Sequence, residues 1–136
     1  MYNNFVFIDP KTLNDRCGIR VYPKYFVKRK KYDDLLAHIL KTLSNALLHS
    51  QQNGYHNFDI FVYLEDVKSS NLDYKFAKDF VIMIQQVFPN RLHKCYFYDS
   101  PTFFKIFFEN LLIFIDKKTQ NKIQFVPKQK PIAVMN

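Results

Sequence analysis

Two glycines in a chain of 136 residues cannot build the glycine-rich loops that cradle phosphates. No G-x-S-x-G turn is present to expose a nucleophilic serine. Metal chemistry is equally short of parts. The histidines His38, His49, His56 and His93 show no H-x-x-x-H spacing, and Cys17 and Cys95 have no C-x-x-C partner, so no metal site is expected. One nucleophile and base can be paired on paper, Cys95 with His93. Two residues apart on one strand face, they lack a third group to orient them. A small thiol packed in an apolar strand is the simpler reading of Cys95. The sequence therefore argues against an enzyme. Long hydrophobic runs are missing too: none exceeds five residues, as at Leu111–Ile115, against the ~20 that a membrane span requires. The opening Met-Tyr-Asn-Asn-Phe-Val lacks a basic stretch followed by an apolar one, so no secretory leader is expected. A reducing, cytoplasmic setting follows, with any membrane contact peripheral.

What the chain does have is bulk and positive charge. At this length one domain is expected, residues 1–126, with a loosely held tail at 127–136 that carries two prolines and two lysines. Such a domain buries about two thirds of the surface its unfolded form exposes. Fifteen phenylalanines and nine tyrosines supply the interior, and the net charge is +8, which favours acidic partners without choosing among them. The cations concentrate in Lys28, Arg29, Lys30 and Lys31. That run is either a solvated loop or a site that docks an anionic leaflet, at about 1 kcal/mol per basic residue near the surface. The same charge beside Tyr22, Tyr25, Phe26 and Tyr32 would suit single-stranded nucleic acid. Nucleic acid is disfavoured, because no RNP-like, helix-turn-helix or zinc-finger pattern accompanies the charge.

Read in order, Phe5–Ile8 is a short strand ended by Asp9-Pro10. Ile19–Val27 is a second strand whose Pro23 suggests a sheet edge. Helical spacing of Leu35, Leu36, Ile39, Leu40, Leu43, Ala46 and Leu47 predicts a helix from Asp33 to about His49, with Asp33 as its cap and Gly54 beyond its end. Phe58–Leu64 is apolar enough for a strand covered on both faces. Ser69, Ser70 and Asn71 offer caps for a helix whose Leu72, Phe76, Phe80, Ile84 and Val87 share one face, ending before Pro89. Cys95–Tyr98 and Ile123–Val126 are the last strands. Alternation of strand and helix with short loops predicts a largely parallel sheet with crossover helices.

The stretch between the last two strands is unusual. From Phe103 to Ile115, ten of thirteen residues are apolar, and at ~100° per residue the polar Thr102, Lys105 and Glu109 occupy one narrow arc. A sheet covers only one stripe of a helix, so the remaining apolar surface needs another partner: a helix, a protein or a lipid.

The motifs around this stretch run Phe-Pro-Asn-Arg (88–91), a strand closing in Tyr-Asp-Ser-Pro (98–101), the Phe-rich helix, and Asp-Lys-Lys-Thr-Gln-Asn-Lys-Ile (116–123) leading into a strand. This order resembles the CRAL-TRIO lipid-binding domain, whose members typically show Tyr-Pro-Glu-Arg, Asn-Ala-Pro, a hydrophobic gate helix and Asp-Pro-x-Thr-x-x-Lys-Ile. Cys17–Val21 and Asn71–Lys78 sit where that family has its opening strand and middle helix, so the likeness covers roughly residues 15 to 126. It implies an α/β fold with a mixed, mainly parallel five-stranded sheet flanked by helices. It also implies a gate over an acyl pocket floored by the sheet, built from Phe103, Phe104, Phe107, Phe108, Leu111 and Leu112. Each buried CH₂ contributes ~0.8 kcal/mol in bilayer or pocket alike, which makes lipid exchange nearly isoenergetic.

Headgroup contacts carry over to Thr119 and Lys122, a hydroxyl beside a point charge that suits phosphate. Asn90 stands where the family has Glu, and Lys117 replaces the Pro. The chain has no room for the helical lobe and closing helix of many members, so a shallow or open pocket is expected. The function implied is a non-catalytic lipid-binding or lipid-transfer domain for phosphatidylinositol or phosphoinositides, similar to the phosphatidylinositol/phosphatidylcholine transfer proteins. No cofactor is expected beyond a bound phospholipid. The alternative is the BCH type, a scaffold that would use the Phe-rich helix to bind a small GTPase or a second copy of itself as a homodimer.

Overall fold

The alternating pattern folds into β1 (Val6–Ile8), β2 (Gly18–Val21), α1 (Asp33–Gln52), β3 (Phe58–Tyr63), α2 (Tyr74–Val87), β4 (Leu92–Tyr98), α3 (Thr102–Glu109), α4 (Lys117–Gln120) and β5 (Ile123–Val126). The computed structural model describes residues 4–127, so the expected tail lies, apart from Pro127, outside the described residues. The five strands form one sheet in the order in which they occur in the chain. β1 is antiparallel to β2, and the other neighbours are parallel. The α/β class and the mainly parallel five-stranded sheet are as expected.

Because every parallel step moves the same way across the sheet, right-handed crossovers bring α1, α2 and α3 to one face. That face carries the core: Val6, Ile19, Phe58, Ile60 and Phe97 are buried there against Leu35, Ile39 and Leu43 of α1 and Phe76 and Ile84 of α2. On the opposite face Phe7, Phe61, Tyr63, Tyr96 and Tyr98 are half-buried. They cover one another by stacking, with centroids 5.0 Å apart for Tyr22–Tyr63, 4.9 Å for Tyr63–Tyr98 and 5.6 Å for Phe61–Tyr96. The expectation that β3 is covered on both faces is thus corrected. Its residues alternate between buried and half-buried, and its apolar run reflects aromatic stacking rather than a second helix layer. Gly18 lies under this face, where a Cβ would come 2.5 Å from the Phe61 ring and 3.0 Å from the Asp59 carbonyl.

Several boundaries differ from the pattern. β2 ends at Val21 and sits between β1 and β3, not at an edge; Pro23 lies past it and opens a 3₁₀ turn, Pro23–Tyr25. Tyr32, not Asp33, occupies the cap position of α1, and Asp33 joins Asp34 in the first turn, where negative charge complements the helix dipole. Ser69–Asn71 forms its own 3₁₀ turn, leaving Leu72 outside the helix; α2 is capped instead by Asp73, whose carboxylate accepts the Phe76 N–H at 2.9 Å. Val87 is exposed and Phe88 takes the buried place at the end of α2.

Candidate functional site

The Phe-rich stretch is not one helix. α3 stops at Glu109, Asn110 turns its side-chain amide back onto the Ile106 carbonyl at 3.0 Å, and a 3₁₀ turn follows at Leu112–Phe114. An asparagine amide that bonds the backbone competes with helix continuation. The break redistributes the apolar side chains: Phe104, Phe108, Leu111 and Ile115 are buried, whereas Phe103, Ile106 and Ile113 are exposed, Ile113 at 82%. Polar side chains fasten the segment. The Gln85 amide of α2 donates to the Phe114 carbonyl at 2.7 Å and its oxygen accepts the Asp116 N–H at 2.9 Å. Gln120 donates to the carbonyls of Leu112 and Ile115.

Between this segment, α2 and the sheet lies an apolar cavity of about 160 Å³, floored by Ile60, Val62, Cys95 and Phe97 and walled by Phe76, Phe80, Phe104, Phe107, Phe108 and Leu111. Four of the six residues expected to form the gate and pocket therefore line it; Phe103 is exposed and Leu112 packs against the core without lining it. Ring contacts tie α3 to the sheet, with Phe97 5.1 Å from both Phe104 and Phe108. An engineered cavity of similar size, ~150 Å³, stays dry and accepts benzene. The space as it stands therefore holds an apolar group of about that size.

A second cavity, about 90 Å³, abuts the first and shares Ile84, Gln85, Leu92 and Thr119 with it. Its rim is polar: Asn90, Asp116, Lys118, Thr119 and Lys122. The structure thus brings together Thr119, Lys122 and Asn90. It adds Lys118, whose ammonium donates to Asn90 Oδ1 at 2.7 Å, and Gln85. Lys118 was readable only as an unspecified position between Asp116 and Thr119; Gln85 sits on a different helix and left no local signal. Asp116 caps α4 by accepting the Thr119 N–H at 2.7 Å, and the hydrogen bonds from Thr119 hold its carboxyl below the usual range. Burial, and then the like charges of Lys118 and Lys94, push the Lys122 ammonium down against the opposing pull of Asp116.

Lys28–Lys31 form an exposed loop between the Pro23–Tyr25 turn and α1, next to Phe26, which lines the apolar cavity, and to Val27, 65% exposed. Of the aromatic residues beside this run, Phe26 and Tyr32 are buried in the core, Tyr22 is stacked on Phe7 and Tyr63, and Tyr25 is exposed.

Cys95 and His93 do not meet. A bulge opposite Phe58 and Asp59 makes His93 the extra residue of β4; its Nδ1 lies 2.8 Å from Asp59 Oδ1, while Cys95 faces the cavity and burial pushes its thiol up to about 12. Among the described residues no three histidine, cysteine, aspartate or glutamate side chains are grouped to hold a metal, and no helix is long and apolar enough to cross a membrane.

A family model described as the CRAL/TRIO domain matches residues 3–134. No curated protein matches the chain. Among solved structures, it is similar in fold to the crystal structure of Sfh5, with 16% sequence identity and a TM-score of 0.59 over 90% of this chain and 48% of that one. The chain spans about half the length of that structure.

Proposed function

The chain belongs to the CRAL/TRIO family of lipid-binding and lipid-transfer domains, and from that premise we propose that it binds an inositol phospholipid without catalysing any reaction on it. One observation carries this reading: an apolar cavity and a smaller cationic cavity meet at Thr119, the arrangement that an acyl chain joined to a phosphorylated headgroup requires. In this reading the chains lie over Ile60, Val62 and Phe97 once α3 lifts. The Lys122 ammonium holds the phosphodiester, the Thr119 hydroxyl joins it by exchanging its bond to Asp116 for one to phosphate, Asn90 bonds inositol hydroxyls, and Lys28–Lys31 rest on the anionic face of a cytoplasmic membrane as a peripheral anchor. An anionic partner would offset the burial and the like charges that push the Lys122 ammonium down.

Mass spectrometry of the organic extract of the purified protein tests the reading, with a stoichiometric phospholipid as the expected result. Losing a charge-assisted hydrogen bond costs ~1.5–3 kcal/mol, about tenfold to a hundredfold in affinity, so Lys122→Ala should weaken phosphatidylinositol binding by that factor and phosphatidylcholine binding far less. An equal effect on both lipids sinks the headgroup assignment. A second reading, the scaffold, is favoured by the exposed Phe103, Ile106 and Ile113, which would seat a second copy or a small GTPase. A lipid-free protein whose dimer is lost in Ile106→Ser and Ile113→Ser supports it instead.

A further inference from the structure

We propose that the segment from Phe26 to Lys31 is a strap over a second mouth of the apolar cavity, and that an anionic lipid surface opens it by drawing Lys28 away from Asp73; this rests on the docking role given above to Lys28–Lys31. The cavity runs from Thr119, which precedes β5, to Phe26, Asn71 and Asp73, which lie beyond the carboxyl ends of the parallel strands β2 and β3. Phe26 is the stopper at that end. Its ring is buried and lies 4.9 Å from Phe76, 5.6 Å from Tyr32 and 5.7 Å from Phe5. Side chains fasten the two ends of the strap. The Asn71 amide donates to the carbonyls of Lys24 at 3.3 Å and Phe26 at 3.1 Å. At the other end the Tyr32 hydroxyl accepts the Arg29 N–H and donates to Asp73 Oδ2 at 2.5 Å. Between these ties the N–H groups of Val27, Lys28, Lys30 and Lys31 meet no hydrogen-bond acceptor among the described residues. A stretch without backbone bonds of its own belongs to the part of a fold that opens first.

Asp73 pins the second end. Burial pushes its carboxyl up, but the Tyr32 hydroxyl, the Phe76 N–H and the charge of Lys28 outweigh burial and hold it below the usual range. Lys28 is thus drawn inward by one carboxylate, whereas an anionic leaflet draws the whole run Lys28–Lys31 outward. The apolar side chains decide when that pull succeeds. In water, lifting the strap exposes the Phe26 ring, so the strap stays shut. At a membrane the same ring passes from the cavity into the acyl boundary, where apolar surface is buried about as well. Tyr25 and Val27, which flank it and are 50% and 65% exposed, gain burial by the same movement.

The chain contains no tryptophan, so Phe26→Trp in the full-length protein puts a single indole on the stopper. In solution that indole should be shielded from acrylamide. With vesicles of phosphatidylserine and phosphatidylcholine carrying brominated acyl chains it should lose most of its emission, and with brominated phosphatidylcholine alone it should not. Sedimentation with the anionic vesicles while the emission persists overturns the strap and leaves the docking loop standing. No sedimentation overturns both. Because the larger ring can unsettle the core, a second measurement keeps residue 26 native. Cys95 lines the cavity and Cys17 does not, and both thiols are buried and free. Labelling by methyl methanethiosulfonate without vesicles, mapped to each thiol by mass spectrometry, therefore reports on cavity opening. Tyr32→Phe keeps the ring and releases the pin. It should speed labelling of Cys95 by ~tenfold, the worth of one charge-assisted hydrogen bond, and leave Cys17 unchanged. An unchanged rate at Cys95 in Tyr32→Phe overturns the proposal, and acceleration there in Gln85→Ala alone places the opening at α3. Equal acceleration of both thiols in Tyr32→Phe overturns it as well, because the bond then holds the whole fold and not a strap.

Discussion

Phe108 and Ile106 are both apolar and two residues apart on α3, yet Phe108 is 7% exposed and Ile106 57%. Phe108 lines the apolar cavity and packs on Phe97, whereas Ile106 faces outward. Sequence counted them as equal parts of one apolar surface, because hydrophobicity alone does not tell a helix's inner side from its outer side. Their substitutions should therefore behave differently. Phe108→Ala removes a ring from the core at a cost of ~3–5 kcal/mol, whereas Ile106→Ser should stay within about 0.5 kcal/mol of the parent. Denaturant midpoints measured side by side check this. Similar midpoints for the two variants would mean that α3 does not sit on the sheet as described.

At the scale of elements, α1 and α2 were legible from helical spacing, because each buries one face against the sheet, and the five strands from short apolar runs between turn residues. What periodicity could not reveal were the places where single polar side chains override it: Asn110, which ends α3 early, and Asp73, which starts α2 later than Ser69–Asn71 suggested. The smaller cavity was half legible. Thr119 and Lys122 share one short segment, whereas Lys118 acts through a long-range bond to Asn90 and Gln85 reaches across from α2. Gln85 also sets a prediction. It makes two of the hydrogen bonds that hold the segment after α3, each worth ~0.5–1.5 kcal/mol net. Gln85→Ala should therefore raise the opening of the 110–116 segment by about tenfold to a hundredfold. Hydrogen exchange should be faster in that segment and unchanged in α1. Uniform acceleration across both would indicate global destabilisation, not a released latch.

At the scale of the whole molecule, the one-sided sheet leaves its charge and its cavity at related ends. The Lys28–Lys31 loop leads from Phe26, which lines the apolar cavity, into α1, so a surface that attracts the loop would also lie close to that end of the cavity. A net charge of +8 draws the chain toward any anionic leaflet, but a general field and a docking loop differ in how they respond to local change. Lys30→Glu together with Lys31→Glu removes about 1 kcal/mol of attraction per residue and adds repulsion of similar size. Sedimentation with phosphatidylserine vesicles should then weaken by at least ~tenfold, whereas the same two reversals placed at Lys41 and Lys117, both exposed and outside the loop, should cost much less. Wild-type binding should also fade as added salt shortens the Debye length from ~10 Å at 0.1 M toward ~3 Å at 1 M. If both pairs of reversals weaken sedimentation equally, net charge alone drives the attraction and the Lys28–Lys31 loop is an ordinary solvated segment. If only the loop pair does so, the molecule approaches a membrane with the Phe26 end of its cavity leading.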